Sequence, residues 1–154
     1  FWYLFRVGYL KRWLSSNEIS SSKSFDDELI NKFILGLEFE LTADQVTAIE
    51  DIKRDLKAQY QMNRLVQGDV GSGKTIVAFV ASYMNYLAGY QTALMVPTEI
   101  LANQHYKEAK SLFEDEKMVI ELLTSSTNKK DRERICEELA NGKIDLIIVT
   151  QSLC

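Results

Sequence analysis

Histidine and cysteine are scarce in this chain. It has one histidine, His105, and two cysteines, Cys136 and Cys154, among 154 residues. That excludes a Cys/His zinc cluster built within the chain and leaves no disulfide framework. The same scarcity suits a reducing compartment, so a cytoplasmic protein is expected. Positive charge is not in excess either: the net charge is −4. A protein that coats nucleic acid by bulk charge is therefore excluded, while a local basic face is not. Long apolar runs are missing too. The opening FWYLFRVGYLKRWL is apolar and aromatic, but Arg6, Lys11 and Arg12 interrupt it. It is too short for a membrane span and lacks the order of regions of a signal peptide, so no membrane partner is expected. It reads as a broken piece of amphipathic helix. The first residue is Phe rather than Met, which suggests a chain that begins inside a larger protein.

What is present is ordinary for a globular protein: 46% hydrophobic and 26% charged residues, enough for one domain with a core. The stretch SSNEISSSKS, residues 15–24, reads as a serine-rich linker. FDDELINKFILGL predicts a short helix ending near Gly36. LTADQVTAIEDIKRDLKAQ predicts an amphipathic helix, with Val46, Ile49, Ile52 and Leu56 on its inner face.

From there strands and helices alternate. NRLVQGD reads as a strand, KTIVAFVASYMNYLA as a helix stopped at Gly89, and TALMVP as a strand. TEILANQHYKEAKSLF reads as a helix capped by Thr98, and MVIELL as a strand. NKKDRERICEELA reads as a helix stopped at Asn141-Gly142, and KIDLIIVT as a strand. Such alternation implies βαβ units on a parallel sheet. The runs ALMV and LIIV suggest strands buried on both faces. The fold class expected is α/β, a parallel sheet flanked by helices.

The sharpest motif is GDVGSGKT, residues 68–75, which fits G-x-x-x-x-G-K-[ST] between a predicted strand and a predicted helix. Gly68, Gly71 and Gly73 can adopt backbone angles closed to other residues, and they leave room for phosphates. The amides of Gly68, Asp69, Val70, Gly71, Ser72 and Gly73 can form an anion nest at the positive end of the following helix. Lys74 would reach the β- and γ-phosphates, and the Thr75 hydroxyl would ligate Mg²⁺. An enzyme of this kind also needs an acid at the end of a second core strand. None fits: Asp26-Asp27-Glu28 follows serines, Asp115-Glu116 lies at a helix tail, and LIIVT ends in Thr150. The expectation is a chain cut before that strand, able to bind nucleotide phosphates weakly but not to turn over.

Asn128-Lys129-Lys130-Asp131 fits N-K-x-D, the guanine-reading pattern of GTPases. Its interval from Lys74 is short, no D-x-x-G lies between, and NKKD reads better as the polar opening of a helix whose inner side is Ile135 and Leu139. Gln45 has two readings. In LTADQ it completes a capping box with Thr42, the reading that spacing favours; upstream of a phosphate loop it can also read an adenine edge. The two roles can coexist, because the carbonyl and amide of the side chain face different partners. Thr98 and the first-turn amides of its helix make a second anion-ready terminus, at the carboxyl edge of the sheet where ligands bind. LLTSST, residues 122–127, forms another such edge, whose hydroxyls either contact phosphates or cap the next helix. His105 has no partner acid or nucleophile in view and reads as exposed or packed.

FELTADQ, QMNRLVQGDVGSGKT, AGYQTALMVPTEILANQHY and ELLTSST, in this order, closely resemble the RecG family of ATP-dependent DNA helicases from about Phe25 to Thr150. The helicase domains of the transcription-repair coupling factor and of the primosomal helicase are the nearest alternatives. The resemblance implies residues 1–36 as a helical lead-in from a preceding wedge region. Residues 37–154 would then be the front part of a first RecA-like, P-loop NTPase motor domain. It implies ATP and Mg²⁺ as cofactors and branched, fork or junction DNA as partner. It also implies a second motor domain on the same polypeptide and a monomeric motor. By it, Gln45 reads adenine, residues 68–75 are motif I, Pro97, Thr98 and Glu99 line the DNA track, and residues 124–127, with Thr124 and Ser125, fall near a further DNA motif. The family's Gly-Thr-His is replaced by Val149-Thr150-Gln151, which puts a role there in doubt.

Overall fold

The computed structural model describes residues 25–58, 62, 64–69, 71 and 73–150. The predicted N-terminal helix and linker, Val70, Ser72 and Gln151 lie outside the described residues. The described residues form two compact units that meet in sequence at residues 90 and 91.

The first unit contains three helices: α1 (Asp27–Leu35), α2 (Ala43–Lys57) and α3 (Lys74–Leu87). Asp26 caps α1 by accepting the Glu28 amide, and Gly36 closes it. Thr42 caps α2, and its last turn carries Arg54 and Lys57 at the negative end of the dipole. Ile49, Ile52 and Leu56 are buried as predicted, but Val46 is 46% exposed. Val46 lies in the first turn, where the apolar stripe has not yet reached a neighbour. In α3, every residue from Ile76 to Asn85 is buried, the mark of a helix enclosed on all sides. It packs against α1 and α2, and the Phe33 ring stacks on Tyr83 with centroids 4.4 Å apart. Gly89 takes φ +79 just past the end of α3, the left-handed stop its position predicted. Lys57 pairs with Asp27 at 2.7 Å, tying the end of α2 to the start of α1.

NRLVQGD is not a strand: residues 64–69 carry no regular structure. A strand requires a partner ladder for its amides and carbonyls, and the first unit offers none among the described residues. Arg64 instead forks onto Asp55 at 2.6 and 3.2 Å and reaches Asp51 at 3.2 Å, so the segment is anchored to α2 by charge. Leu65 is left 54% exposed.

The second unit holds β1 (Thr92–Val96), α4 (Glu99–Leu112), β2 (Ile120–Leu123), α5 (Lys129–Ala140) and β3 (Leu146–Thr150). The strands are parallel and ordered β1-β3-β2. Crossovers between parallel strands are right-handed. The step from β1 to β2 and the return from β2 to β3 run in opposite directions across the sheet, which puts α4 and α5 on opposite faces. Ile135 of α5 meets Ile147 and Val149 of β3, together with Ile144. The alternate residues Leu146, Ile148 and Thr150 point to the other face. Only β3, the central strand, is buried at every residue. β1 alternates between buried and half-buried residues, because an edge strand has one neighbour and its Ala93 and Met95 are only partly covered. His105 is packed rather than exposed; its Nδ1 lies 3.1 Å from Glu108 Oε2. Asn128 accepts the Asp131 amide at 2.8 Å, so NKKD is the capped opening of α5.

Candidate functional site

In the first unit, residues 68–75 lead into α3. Among the described residues, four of five helices open on a side-chain cap: Asp26, Thr42, Thr98 and Asn128. The fifth, α3, opens on Gly73, which has φ +72 and no side chain to give. No side-chain oxygen caps its first turn, and a helix start of that kind suits an anion. Gly71 also takes a left-handed angle, φ +83. Lys74 folds back over the loop, and its ammonium donates to the carbonyls of Gly68 and Asp69 at 2.6 and 2.7 Å. Gly68 and Asp69 are exposed, and Thr75, in the first turn of α3, is half-buried. Left-handed glycines, a helix start without a side-chain cap, a cation and a hydroxyl are the donor set that fits a phosphate with its metal.

Gln45 joins this loop to α2. Its carbonyl oxygen accepts the Thr42 amide at 2.8 Å, and its own amide N–H donates to Thr42 Oγ1 at 3.3 Å, so the capping box is complete. Its side-chain NH₂ donates to the Gly73 carbonyl at 3.3 Å. A Cβ on Gly73 would collide with Gln45 Nε2. The capping role is thus realised here, and the amide end faces the phosphate loop. Sequence spacing revealed the box but not this second contact, because it joins residues on separate elements. The Arg64 anchor escaped notice for the same reason; its only trace was an arginine following the acidic face of a helix.

In the second unit, the carboxyl ends of the parallel strands carry two loops. After β1 come Pro97 and Thr98, both exposed, and then Glu99, half-buried. Thr98 caps α4 by accepting the Leu101 amide at 3.3 Å. After β2 comes a tight turn in which Thr127 Oγ1 accepts the Thr124 amide at 3.0 Å. Thr124 is buried, whereas Ser125 is exposed. The two loops touch: Glu99 accepts hydrogen bonds from Thr124 Oγ1 at 3.2 Å and from Ser125 Oγ at 3.1 Å. Hydrogen bonds from Ser126, and also from Ser125 and Thr124, hold the Glu99 carboxyl below the usual range. Thr150 ends β3 as a buried residue. Among the described residues no cluster of His, Cys, Asp or Glu is placed to hold a metal ion. Among the same residues, no helix is long and apolar enough to cross a membrane.

The sequence pattern of the family described as DEAD/DEAH box helicase matches residues 42–154. The chain is 47% identical over 97% of its length to the ATP-dependent DNA helicase RecG of Staphylococcus aureus strain NCTC 8325 / PS 47, and covers 22% of that protein. It is 50% identical over 84% of its length to the ATP-dependent DNA helicase RecG of Bacillus subtilis strain 168, covering 19% of it. A solved structure of RecG bound to a three-way DNA junction superimposes with a TM-score of 0.81 at 43% identity, over 87% of this chain and 18% of that one. The chain therefore spans about a fifth of the length of these relatives. Its three parallel strands with flanking helices fit an incomplete RecA-like fold. With its phosphate-loop sequence, its parallel sheet and these likenesses together, the chain belongs to the DEAD/DEAH box helicase family and resembles its RecG members.

Proposed function

We propose that this chain is the front part of the first motor domain of an ATP-dependent DNA helicase that remodels stalled forks and branched recombination intermediates. In this reading residues 1–36 lead in from a wedge region and residues 37–154 belong to the motor. The supporting observation is the uncapped start of α3: a glycine at the N-cap, a second left-handed glycine two residues earlier and Lys74 over the loop. Gly68, Asp69, Val70, Gly71, Ser72 and Gly73 would cradle the phosphates, and Lys74 would exchange its two loop carbonyls for phosphate oxygens. Thr75 would hold Mg²⁺, which when bound neutralises charge building on the phosphates. Gln45 would keep its carbonyl on the cap of α2 and turn its amide between Gly73 and the adenine edge. The exposed Pro97, Thr98 and Ser125 would face the DNA backbone, with Thr124 and Glu99 behind them. The partners are branched DNA and a second motor domain on the same polypeptide; the motor acts as a monomer in the cytoplasm. Closing two lobes on ATP couples hydrolysis to movement.

The decisive variant is Lys74→Ala in the full-length polypeptide. DNA-stimulated ATP hydrolysis should vanish while branched-DNA binding by gel shift stays close to wild type. Unwinding that survives in this variant refutes the assignment. Competition between ATP and GTP separates this reading from another phosphate-loop enzyme: a motor that reads adenine through Gln45 prefers ATP.

A further inference from the structure

We propose that Glu99 is a positioning residue: its carboxylate locks the 124–127 turn onto the first turn of α4, so that the two sheet-edge loops present one fixed surface to DNA. The inference rests on the DNA-facing role proposed above for these loops.

Glu99 reaches residues 25 and 26 positions further along the chain, accepting from Thr124 at 3.2 Å and Ser125 at 3.1 Å. An acidic residue that merely complements the helix dipole needs no such partners. Thr124 is 3% exposed, and a buried hydroxyl requires an acceptor; the carboxylate supplies it. The turn is held from two further sides. Thr127 closes it internally, accepting the Thr124 amide at 3.0 Å and donating its own amide to the Thr124 carbonyl at 3.2 Å. Arg132 of α5 donates to that same carbonyl at 3.2 Å. The segment is thus fastened by α4, by α5 and by itself. An ionised carboxylate only accepts hydrogen bonds, so Glu99 offers nothing to a phosphate. Its function is to hold neighbouring groups in place: the backbone of the 124–127 turn on one loop, and Thr98 with the start of α4 on the other. The depressed pKa of Glu99, caused first by Ser126 and then by Ser125 and Thr124, keeps the lock charged across the physiological range.

Two measurements on the full-length polypeptide test this. The first is amide hydrogen exchange over residues 124–127. Glu99→Ala should raise it at least about tenfold, the factor that corresponds to ~1.4 kcal/mol; Glu99→Gln, whose carbonyl still accepts a hydroxyl, should raise it less. The second is the DNA concentration that half-stimulates ATP hydrolysis. Glu99→Ala should raise it about tenfold, more than it lowers kcat, and Glu99→Gln should recover most of the loss. Ser125→Ala, an exposed change outside any helix, should give a smaller shift that is not additive with Glu99→Ala. Unchanged exchange in Glu99→Ala overturns the lock whatever the DNA does. A lower half-stimulating DNA concentration overturns it as well, because Glu99 would then only repel phosphate. Full additivity with Ser125→Ala has the same consequence. If the wild type shows no DNA stimulation, the helicase reading fails, while the exchange result still decides whether the lock exists.

Discussion

The contact between Gln45 and Gly73 makes a prediction that two glycines can separate. Gly71 and Gly73 both sit at positive φ, +83 and +72. An alanine at either position pays the left-handed strain of about 1–2 kcal/mol. Space differs between them. A Cβ at position 71 meets nothing within 4 Å, whereas one at position 73 runs into Gln45 Nε2. That atom ends a flexible side chain, so it will swing away instead of forcing the backbone, and the cost is the lost hydrogen bond to Gly73, about 1 kcal/mol. Gly73→Ala should therefore destabilise by about 2–3 kcal/mol and Gly71→Ala by about 1–2 kcal/mol. In a Gln45→Ala background the extra cost disappears, and the two alanines become equivalent to within about 0.5 kcal/mol. Urea unfolding of the wild type and of the five single and double variants, followed by circular dichroism, measures this, and the coupling comes from the double-mutant cycle. Equal costs for Gly73→Ala in both backgrounds refute the reasoning, and so does a Gly73→Ala that is no worse than Gly71→Ala.

Two other outcomes follow from the packing and the charges. Ile52 is fully buried on α2 whereas Val46 is exposed, so Ile52→Ala should cost about 2–5 kcal/mol and Val46→Ala under about 0.5 kcal/mol in the same denaturation assay. Asp145 is held above the ordinary carboxyl range by burial, a shift partly opposed by the Val119 amide it accepts at 2.8 Å. Because its folded pKa lies above the unfolded value, the folded state holds the proton more tightly, and stability falls as pH rises from the unfolded pKa through the folded one. Asp145→Asn keeps an acceptor for Val119 and removes that fall, so its urea midpoint relative to wild type should be higher at pH 7 than at pH 4; the reverse order would show the sign to be wrong.

The elements most readable from sequence were those with both a period and punctuation. α4 and α5 had polar openings, Asn141-Gly142 marked the end of α5, and Gly89 marked the end of α3. The carboxyl edge of the sheet was legible because Thr98 and residues 124–127 follow apolar runs. NRLVQ misled because a β-like run fixes only a preference, while a strand exists through its neighbours. Its arginine found two aspartates on α2 instead. Likewise, ALMV as a run gives no sign that β1 lies at an edge. The phosphate loop was legible as a motif, since glycine at fixed spacing carries the backbone angles with it. The links from Gln45 to Gly73 and from Glu99 to the 124–127 turn were not, because they join positions far apart in the chain whose side chains have many other possible partners.

The strand order β1-β3-β2 has a consequence for how the second unit comes into being. Among the described residues β1 and β2 share no ladder; each pairs with β3, Thr92 and Ile120 both lying against Leu146. β1 and β2, consecutive in the chain, do not pair, and β2 reaches β3 only across α5. During synthesis, which proceeds at about 5–20 residues per second, the first two strands and both helices emerge with no sheet to dock on. β3 enters between β1 and β2 and supplies both ladders. Loop closure over such long separations is slow. Neither ladder of the described sheet can therefore form before residues 146–150 have been made.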